Sequence, residues 1–316
     1  MAAPDLPVFC LMGPTGAGKS AAALWLAARR PVEIISVDSA LVYFGMDIGT
    51  AKPNPAERSR VPHHLVDCCA PEEAFSVARF VAAVRALLPG IRARGRSPLL
   101  VGGTGLYFRR LEQGLADIPA VPPDVRAAVA RDLERLGKMA LHSELAKVDP
   151  ASASRIHPND PQRVTRALEV FHASGKPLSY FLRAGAGQGY PLRKVVLAPP
   201  ERRGLDHGLA QRFHGMLERG FLNEVRALRT RPGLTANHPA MRAVGYREAW
   251  AYLAGELDRA GMVFKAIDAT RQYAKRQYTW FRSEDNARWL DPAQSSTRDR
   301  LLELLDDTGR GQPDGV

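Results

Sequence analysis

A glycine-rich segment near the start of the sequence has the residue types needed to wrap a phosphate group. Residues 13–20 read Gly-Pro-Thr-Gly-Ala-Gly-Lys-Ser and fit the pattern G-x-x-x-x-G-K-[ST]. In this pattern the glycines let backbone N–H groups point at phosphate oxygens, the lysine supplies a positive charge, and the final hydroxyl can ligate Mg²⁺. We predict that a di- or triphosphate is bound here, with Ser20 as metal ligand, by Gly13, Pro14, Thr15, Gly16, Ala17, Gly18, Lys19 and Ser20.

Two further segments follow apolar runs that are typical of buried strands. Asp38 closes the run 33–37 and can serve as a general base, as a metal ligand or only as a turn cap. Gly102-Gly103-Thr104-Gly105 follows the run 98–101, and Thr104 can alternatively be a helix N-cap. Ligands of open parallel sheets bind beyond the carboxyl ends of the strands, so both segments are expected beside the phosphate loop.

The pair of histidines at 63–64 and the pair of cysteines at 68–69 do not form a recognisable zinc motif. Adjacent residues of one type do not match ligand spacings such as C-x₂₋₄-C. We interpret 62–69 as a loop near the site with no assigned role.

Basic residues are concentrated in three places. The segment 271–282 has four basic and four aromatic residues and no acid, a composition that can hold phosphates and stack on bases. Gln162, Arg163 and Arg166 form a second group, and Arg242 and Arg247 a third. Each group can also be ordinary solvated surface, and the aromatics, with Tyr273, Gln277 and Trp280 on one helical face, can be core. Together with a net charge of +11, the three groups favour an RNA or DNA partner.

The alternation of strand and helix predicts an α/β core with a parallel sheet, interrupted by a helical insertion. Strands are predicted at 8–12, 33–37, 98–101 and 194–198. Helices are predicted at 20–29, 75–94, 124–136, 138–148, 160–174, 202–219, 221–229, 245–254 and 261–282. We assign 1–117 and 189–308 to the core, 118–188 to the insertion and 309–316 to a frayed tail. A flexible stretch is predicted at 184–189, where the insertion returns to the core.

Composition excludes several classes of protein. With 45% hydrophobic and 24% charged residues the chain is not disordered, and no apolar run is long enough for a spanning helix. The N-terminus has no basic region of the kind that begins a secretory signal. The three cysteines are too few for a disulfide framework, so we expect a cytoplasmic protein without a membrane partner.

Longer strings in the sequence resemble a known family, the bacterial tRNA dimethylallyltransferases, which modify adenosine 37. The resemblance spans about residues 7–305. Beyond the phosphate loop it rests on Ser36–Tyr43, on Gly45–Pro53 with its Met-Asp-Ile-Gly-Thr-Ala-Lys-Pro, and on Leu100–Tyr107. It continues in Ile156–Arg163, Val244–Arg247 and Thr270–Gln277. The resemblance implies a P-loop NTPase-like parallel-sheet core and an all-helical insertion domain that grips the anticodon stem-loop.

The implied reaction transfers a dimethylallyl group from dimethylallyl diphosphate to N6 of adenosine 37, with Mg²⁺ as cofactor and the chain acting as a monomer. Asp38 would accept the N6 proton, while Thr15, Lys19 and Arg212 would act at the donor diphosphate. By the same resemblance, the tRNA-contacting residues are Asp38, Ser39, Ala40, Leu41, Thr104, Arg126, Gln162, Arg163, Val164, Thr165, Arg166, Arg242, Ala243, Val244, Gly245, Tyr246, Arg247, Lys275, Arg276, Gln277, Tyr278, Thr279, Trp280, Phe281 and Arg282.

Two other functions share part of these features. A nucleoside or small-molecule kinase would use the same phosphate loop and an Asp after the second strand, but with ATP. An RNA-binding protein could use the loop as a nucleotide switch without prenyl chemistry. The kinase would need neither the three basic groups nor the string Asp-Ser-Ala-Leu at 38–41.

Overall fold

The computed structural model describes residues 7–183, 185 and 187–308. The predicted tail at 309–316 and two residues of the predicted flexible stretch, Ala184 and Ala186, lie outside this part. The described chain divides into a larger unit, 7–112 with 190–308, and a smaller unit, 113–189. The boundaries predicted for the insertion were 118 and 188, five residues and one residue away.

Six parallel strands form one sheet in the larger unit, in the order β3-β2-β4-β1-β5-β6. The strands are β1 (Val8–Met12), β2 (Val32–Val37), β3 (His63–His64), β4 (Ser97–Gly102), β5 (Leu192–Leu197) and β6 (Arg288–Leu290). Every residue of β1 and β2 is buried, as expected for a parallel sheet covered on both faces. In this order β2, β3 and β4 lie on one side of β1, and β5 and β6 lie on the other. The strand order therefore reverses at β1, and the turn after β1 lies at a topological switch point.

Thirteen α-helices lie in the described part of the chain. They are α1 (Lys19–Ala27), α2 (Pro55–Arg60), α3 (Val77–Ala93), α4 (Gly105–Gln113), α5 (Pro123–Val148), α6 (Pro150–Ala153), α7 (Pro161–Ser174), α8 (Leu178–Arg183), α9 (Asp206–Glu218), α10 (Phe221–Arg229), α11 (Tyr246–Leu253), α12 (Arg259–Arg282) and α13 (Thr297–Thr308). Short 3₁₀ turns cover Arg202–Leu205 and Pro239–Arg242. None of these helices is both long and apolar enough to cross a bilayer.

Local sequence explains where several helices begin and end. The Ser76 side chain caps α3, Asp160 caps α7 and Asp258 caps α12, each accepting an N–H of the first turn. Such caps stabilise a helix by about 1 kcal/mol each. Gly137 adopts φ 78° inside α5, a value that favours glycine, and divides it where two helices were predicted.

Two apolar clusters build the larger unit. In one, Phe9 and Leu11 of β1 pack with Leu26 of α1 and Leu301 of α13. The other joins the segment after β2 to helices α9 to α12 and contains Val42, Tyr43, Met46, Phe213, Phe221, Val225, Tyr246, Met262 and Ala266. The segment that carries Asp38 is therefore packed against the C-terminal helices.

The smaller unit has a core of its own, in which α5 packs against α7. Its buried residues include Val129, Leu141, Leu145, Val164 and Leu168. The described residues of this unit contain no strand, and its helices match the predicted ones at 124–136, 138–148 and 160–174 closely.

Two strands were not predicted. The interpretation of 62–69 as a loop was wrong at His63–His64, which pairs with Ile34 and Ile35 at the sheet edge. The strand β6 pairs with β5. Both are only two or three residues long, too short to show a strand pattern in the sequence.

Candidate active site

The phosphate loop connects β1 to α1 and has the shape that the motif predicts. Gly16 and Gly18 adopt φ 82° and 81°, which a residue with a Cβ rarely adopts. A Cβ at Gly13 would stand 2.2 Å from the carbonyl oxygen of Leu197, so β5 approaches too closely for any other residue. Helix α1 has no side-chain cap, and its first N–H groups are therefore available to an anion.

Lys19 lies inside this loop, where Nζ donates to the Pro14 carbonyl at 2.7 Å. Burial lowers the pKa of Lys19 to about 8. The Asp38 carboxylate opposes that shift and the Arg212 guanidinium adds to it. The lysine charge is thus poorly solvated and poorly neutralised, which favours binding of a diphosphate.

Asp38 follows β2 and uses one carboxylate oxygen to hold its own turn. Its Oδ1 accepts the N–H groups of Ala40 at 2.8 Å and Leu41 at 3.3 Å. The turn-capping role considered for Asp38 is therefore present. The second oxygen, Oδ2, makes no hydrogen bond within the described residues and can serve a substrate, so the capping and basic roles are compatible.

Arg212 of α9 joins the two charged groups already described. It is half-buried, and burial lowers its pKa while the Asp38 carboxylate acts in the opposite direction. Two cations and one carboxylate, namely Lys19, Arg212 and Asp38, thus interact at the ends of β1 and β2. Their net positive charge is suited to a phosphate-bearing anion.

A glutamine of α12 ties the phosphate loop to the turn after β4. Gln277 Oε1 accepts the Thr15 N–H at 2.9 Å, and Nε2 donates to the Gly103 carbonyl at 2.9 Å. A Cβ on Gly103 would stand 2.2 Å from this Nε2, so a larger residue there would displace the Gln277 amide from its hydrogen bonds. The side-chain amide of Gln277, a residue predicted to contact tRNA, is buried and makes hydrogen bonds to both of these loops.

Two tyrosines that were not assigned a role lie near enough to Asp38 to be influenced by its charge. Burial raises the pKa of Tyr107 and of Tyr273, and the Asp38 carboxylate raises both further. The Tyr273 hydroxyl lies beside the buried Thr104 hydroxyl, which has no well-aligned hydrogen bond within the described residues. Asp38, Tyr107 and Tyr273 are far apart in the sequence, so their proximity could not be predicted from local pattern. Tyr107 was singled out only as the last residue of the string Leu100–Tyr107.

The predicted tRNA-contacting residues fall into three groups by exposure. Exposed residues are Ser39, Arg126, Gln162, Arg163, Arg242, Arg247, Lys275, Arg276, Thr279 and Arg282. Half-buried residues are Asp38, Ala40, Leu41, Thr104, Thr165, Arg166, Ala243, Val244 and Trp280. Buried residues are Val164, Gly245, Tyr246, Gln277, Tyr278 and Phe281. The side chains of the last group are covered in this structure, and a tRNA contact of these six residues stays a prediction.

Helix α12 presents a different inner face from the predicted one. Ala274, Gln277, Tyr278 and Phe281 are buried, whereas Tyr273 and Trp280 are half-buried. The alternative interpretation of the aromatics as core is therefore correct for two of the four.

The exposed cations differ in whether a carboxylate already neutralises them. Arg163 is paired with Asp160 at 3.3 Å, and Arg247 with Glu248 at 2.5 Å. Lys275 has no such partner within the described chain. Arg276 and Arg282 of α12, and Arg126 and Arg242 elsewhere, are likewise exposed and form no salt bridge within the described residues.

The fold and the site define a class of protein: an α/β protein with a P-loop at the switch point of a parallel sheet and a separate helical unit. The family model described as IPP transferase matches residues 41–284. A tRNA dimethylallyltransferase from Methylococcus capsulatus is 52% identical over 303 residues, which cover 95% of this chain and 97% of that protein. The chain belongs to the IPP transferase family.

Solved structures agree with this assignment. The full-length tRNA isopentenylpyrophosphate transferase from Bacillus halodurans superposes with a TM-score of 0.69 at 36% identity, covering 96% of this chain and 98% of that one. A eukaryotic dimethylallyltransferase acting on tRNA gives a TM-score of 0.83 at 27% identity, with coverages of 98% and 81%.

Proposed function

We propose that this chain transfers the dimethylallyl group of dimethylallyl diphosphate to N6 of adenosine 37 in the anticodon loop of tRNA. The observation that carries the proposal is a phosphate loop that encloses Lys19, together with Asp38 at the end of β2, in a chain 52% identical to a tRNA dimethylallyltransferase. Diphosphate and the N6-isopentenyladenosine of the tRNA are the products.

Electron flow in this reaction explains the charges of the site. The N6 lone pair forms a bond to C1 of the dimethylallyl group while the C1–oxygen bond breaks, and that electron pair leaves with the diphosphate. Lys19, Arg212 and the loop N–H groups stabilise the negative charge that develops there. The amine proton passes to Asp38, whose Oδ2 is not engaged in the turn.

Positioning supplies the rest of the catalysis. The N6 amine is a weak nucleophile because its lone pair is delocalised into the ring, and adenosine must leave its stack, at a cost of a few kcal/mol. The half-buried Thr104 and Leu41 lie on loops that flank Asp38 and are suited to hold the flipped base. Holding the donor and the base in line then converts a bimolecular reaction into an effectively unimolecular one.

The phosphate loop is suited to a Mg²⁺ ion that binds together with the diphosphate of the donor. Ser20 is exposed in the first turn of α1, and its hydroxyl is the hard oxygen ligand that Mg²⁺ prefers. No cluster of three or more His, Cys, Asp or Glu suited to a metal occurs within the described residues. Ser20 would therefore hold an ion coordinated mainly by phosphate and water, which would neutralise charge on the diphosphate.

The tRNA is proposed to bind through exposed cations of both units. Those of the larger unit are Arg242, Arg247, Lys275, Arg276 and Arg282, and those of the smaller unit are Arg126 and Arg163. Contacts with phosphates position an RNA without reading its sequence. The helical unit is proposed to grip the anticodon stem-loop, with the chain acting as a monomer.

One assay tests the reaction directly. The protein is mixed with undermodified tRNA, dimethylallyl diphosphate and Mg²⁺, without ATP, and the digested RNA is analysed by mass spectrometry. We expect isopentenyladenosine at position 37, and none in a matched transcript with guanosine there. Absence of the product, or a requirement for ATP, would contradict the proposal and favour a kinase or nucleotide switch.

A further inference from the structure

A glutamate of α10 binds the loop that follows β2 through a run of consecutive backbone N–H groups. Glu224 Oε2 accepts the N–H of Asp47 at 2.8 Å and of Ile48 at 2.7 Å. Its Oε1 accepts the N–H of Gly49 at 3.2 Å and the hydroxyl of Tyr246 at 2.6 Å. Consecutive N–H groups converging on one anion fix the conformation of a loop.

Tyr246 supports this contact from inside the core. The side chain is 0% exposed and its ring packs edge-on against Phe221, with centroids 5.0 Å apart. Burial and the Glu224 carboxylate raise the pKa of Tyr246, so the phenol remains a donor. A Cβ on Gly49 would lie 2.3 Å from the Phe221 ring and 2.6 Å from the Tyr246 ring, and the loop is therefore pressed onto these rings.

Hydrogen bonds continue from this loop to Asp38. The backbone N–H of Lys52 donates to the Asp47 carbonyl at 2.9 Å, and Lys52 Nζ donates to the Tyr43 carbonyl at 2.7 Å. The Tyr43 N–H in turn donates to the Ala40 carbonyl at 3.2 Å, and the Ala40 N–H to Asp38 Oδ1 at 2.8 Å. Asp47 is therefore connected to the Asp38 carboxylate by direct hydrogen bonds that pass through Lys52, Tyr43 and Ala40.

We propose that Glu224 and Tyr246 are positioning residues, which clamp the segment 47–49 and through it hold the Asp38 carboxylate in its reactive place. This inference rests on the proposed function, in which Asp38 accepts the proton. It assigns Tyr246 a role other than RNA contact, and it makes Gly49 a requirement of the clamp.

Three variants weaken the clamp in different ways. Tyr246→Phe removes one hydroxyl, Glu224→Gln replaces an acceptor by a donor opposite the backbone N–H groups, and Gly49→Ala pushes the loop off the rings. For each we expect kcat at saturating tRNA and donor to fall roughly tenfold or more, since small misplacement of reacting groups is costly. The Kd for tRNA should stay within about twofold, because no phosphate contact is lost. Tyr252→Phe, on the same helix, is the matched control.

Hydrogen exchange supplies a readout that does not depend on turnover. Amides 47–49 should exchange faster in all three variants, while the central strands β1 and β4 keep their protection and Tyr246→Phe, despite a few degrees' loss of thermal midpoint, remains folded at the assay temperature. Slow exchange at 47–49 in the variants, or an unchanged kcat, would overturn the clamp. Weakened tRNA binding at unchanged kcat would instead make Tyr246 an RNA-contacting residue. A wild-type protein without transferase activity would contradict the proposed function, and the exchange comparison would still test the clamp.

Discussion

Gln277 and Thr15 are joined directly: the glutamine Oε1 accepts the backbone N–H of Thr15 at 2.9 Å. The two residues lie 262 positions apart in the sequence. Gln277 belongs to α12, whose neighbouring residues Lys275 and Arg276 are exposed cations. The helix proposed to bind tRNA therefore also holds a backbone group of the loop proposed to bind the donor.

Gln277→Glu should weaken donor binding. The second carboxylate oxygen would face the Gly103 carbonyl in place of the amide N–H, and an unpaired buried acceptor costs about 1–3 kcal/mol. We expect the KM for dimethylallyl diphosphate to rise roughly tenfold, measured by steady-state kinetics at saturating tRNA. Gln272→Glu, exposed on the same helix, is the control with the same charge change. Equal KM values for the two variants would show that the bridge does not shape the loop.

Asp38→Asn should abolish most turnover while leaving the turn intact. The amide oxygen can still accept the N–H groups of Ala40 and Leu41, but an amide cannot accept the amine proton. General bases contribute about 10²–10⁴-fold, so single-turnover prenylation should slow by that range with tRNA affinity preserved. Asp285→Asn, on the surface, should behave as wild type. Turnover within a few-fold of wild type would remove Asp38 as the base.

The affinity for the donor should depend on the protonation of Lys19. Its pKa is lowered from 10.5 to about 8 by burial, so the free protein loses this positive charge as the pH rises through 8. A diphosphate binds the protonated form, and affinity should fall by at most about tenfold per pH unit above 8. Calorimetry with the donor alone should also show proton uptake there. Lys19→Met should bind the donor weakly and should not show this fall of affinity above pH 8. If the variant still shows the fall, the titration belongs to another group.

Lys275→Ala should weaken tRNA binding through lost phosphate contact. Removing one such contact lowers the slope of log K against log salt by about 1, which filter binding across a salt series measures. Lys265→Ala changes the same residue type ten positions earlier on the helix, roughly 15 Å away along its axis. We expect the control to retain the wild-type slope. If the slope of Lys275→Ala is unchanged too, this lysine is ordinary surface.

Ser20→Ala should raise the Mg²⁺ concentration needed for half-maximal activity. The hydroxyl is the oxygen ligand that the loop offers, and Mg²⁺ is usually held by few protein ligands with phosphate and water. A titration of activity against Mg²⁺ at fixed donor tests this, with the exposed Ser59→Ala as control. Identical titration curves for both variants would exclude Ser20 as a ligand.

Much of the fold was predictable because it depends on local pattern. The strands β1, β2, β4 and β5 are apolar runs, and the start of α7 is marked by the helix-capping pair Asp160-Pro161. Hydrophobic pattern and caps therefore locate these elements within about two residues. The short edge strands were missed because β3 and β6 are held by neighbours rather than by their own composition. The inner face of α12 was misplaced because its amphipathic pattern is mixed, and only packing decides which side is covered.

The sequence by itself determined the phosphate loop, the α/β core with a helical insertion, and the position of Asp38 after its strand. These depend on backbone conformations and strand ends that nearby residues impose. Only the tertiary structure decided that Gln277 and Tyr246 face inward, that Arg212 reaches the charges of Lys19 and Asp38, and that Glu224 holds the loop 47–49. Most of these contacts join residues more than a hundred positions apart, and a hydrogen bond or a desolvated charge exists only when folding brings both partners together.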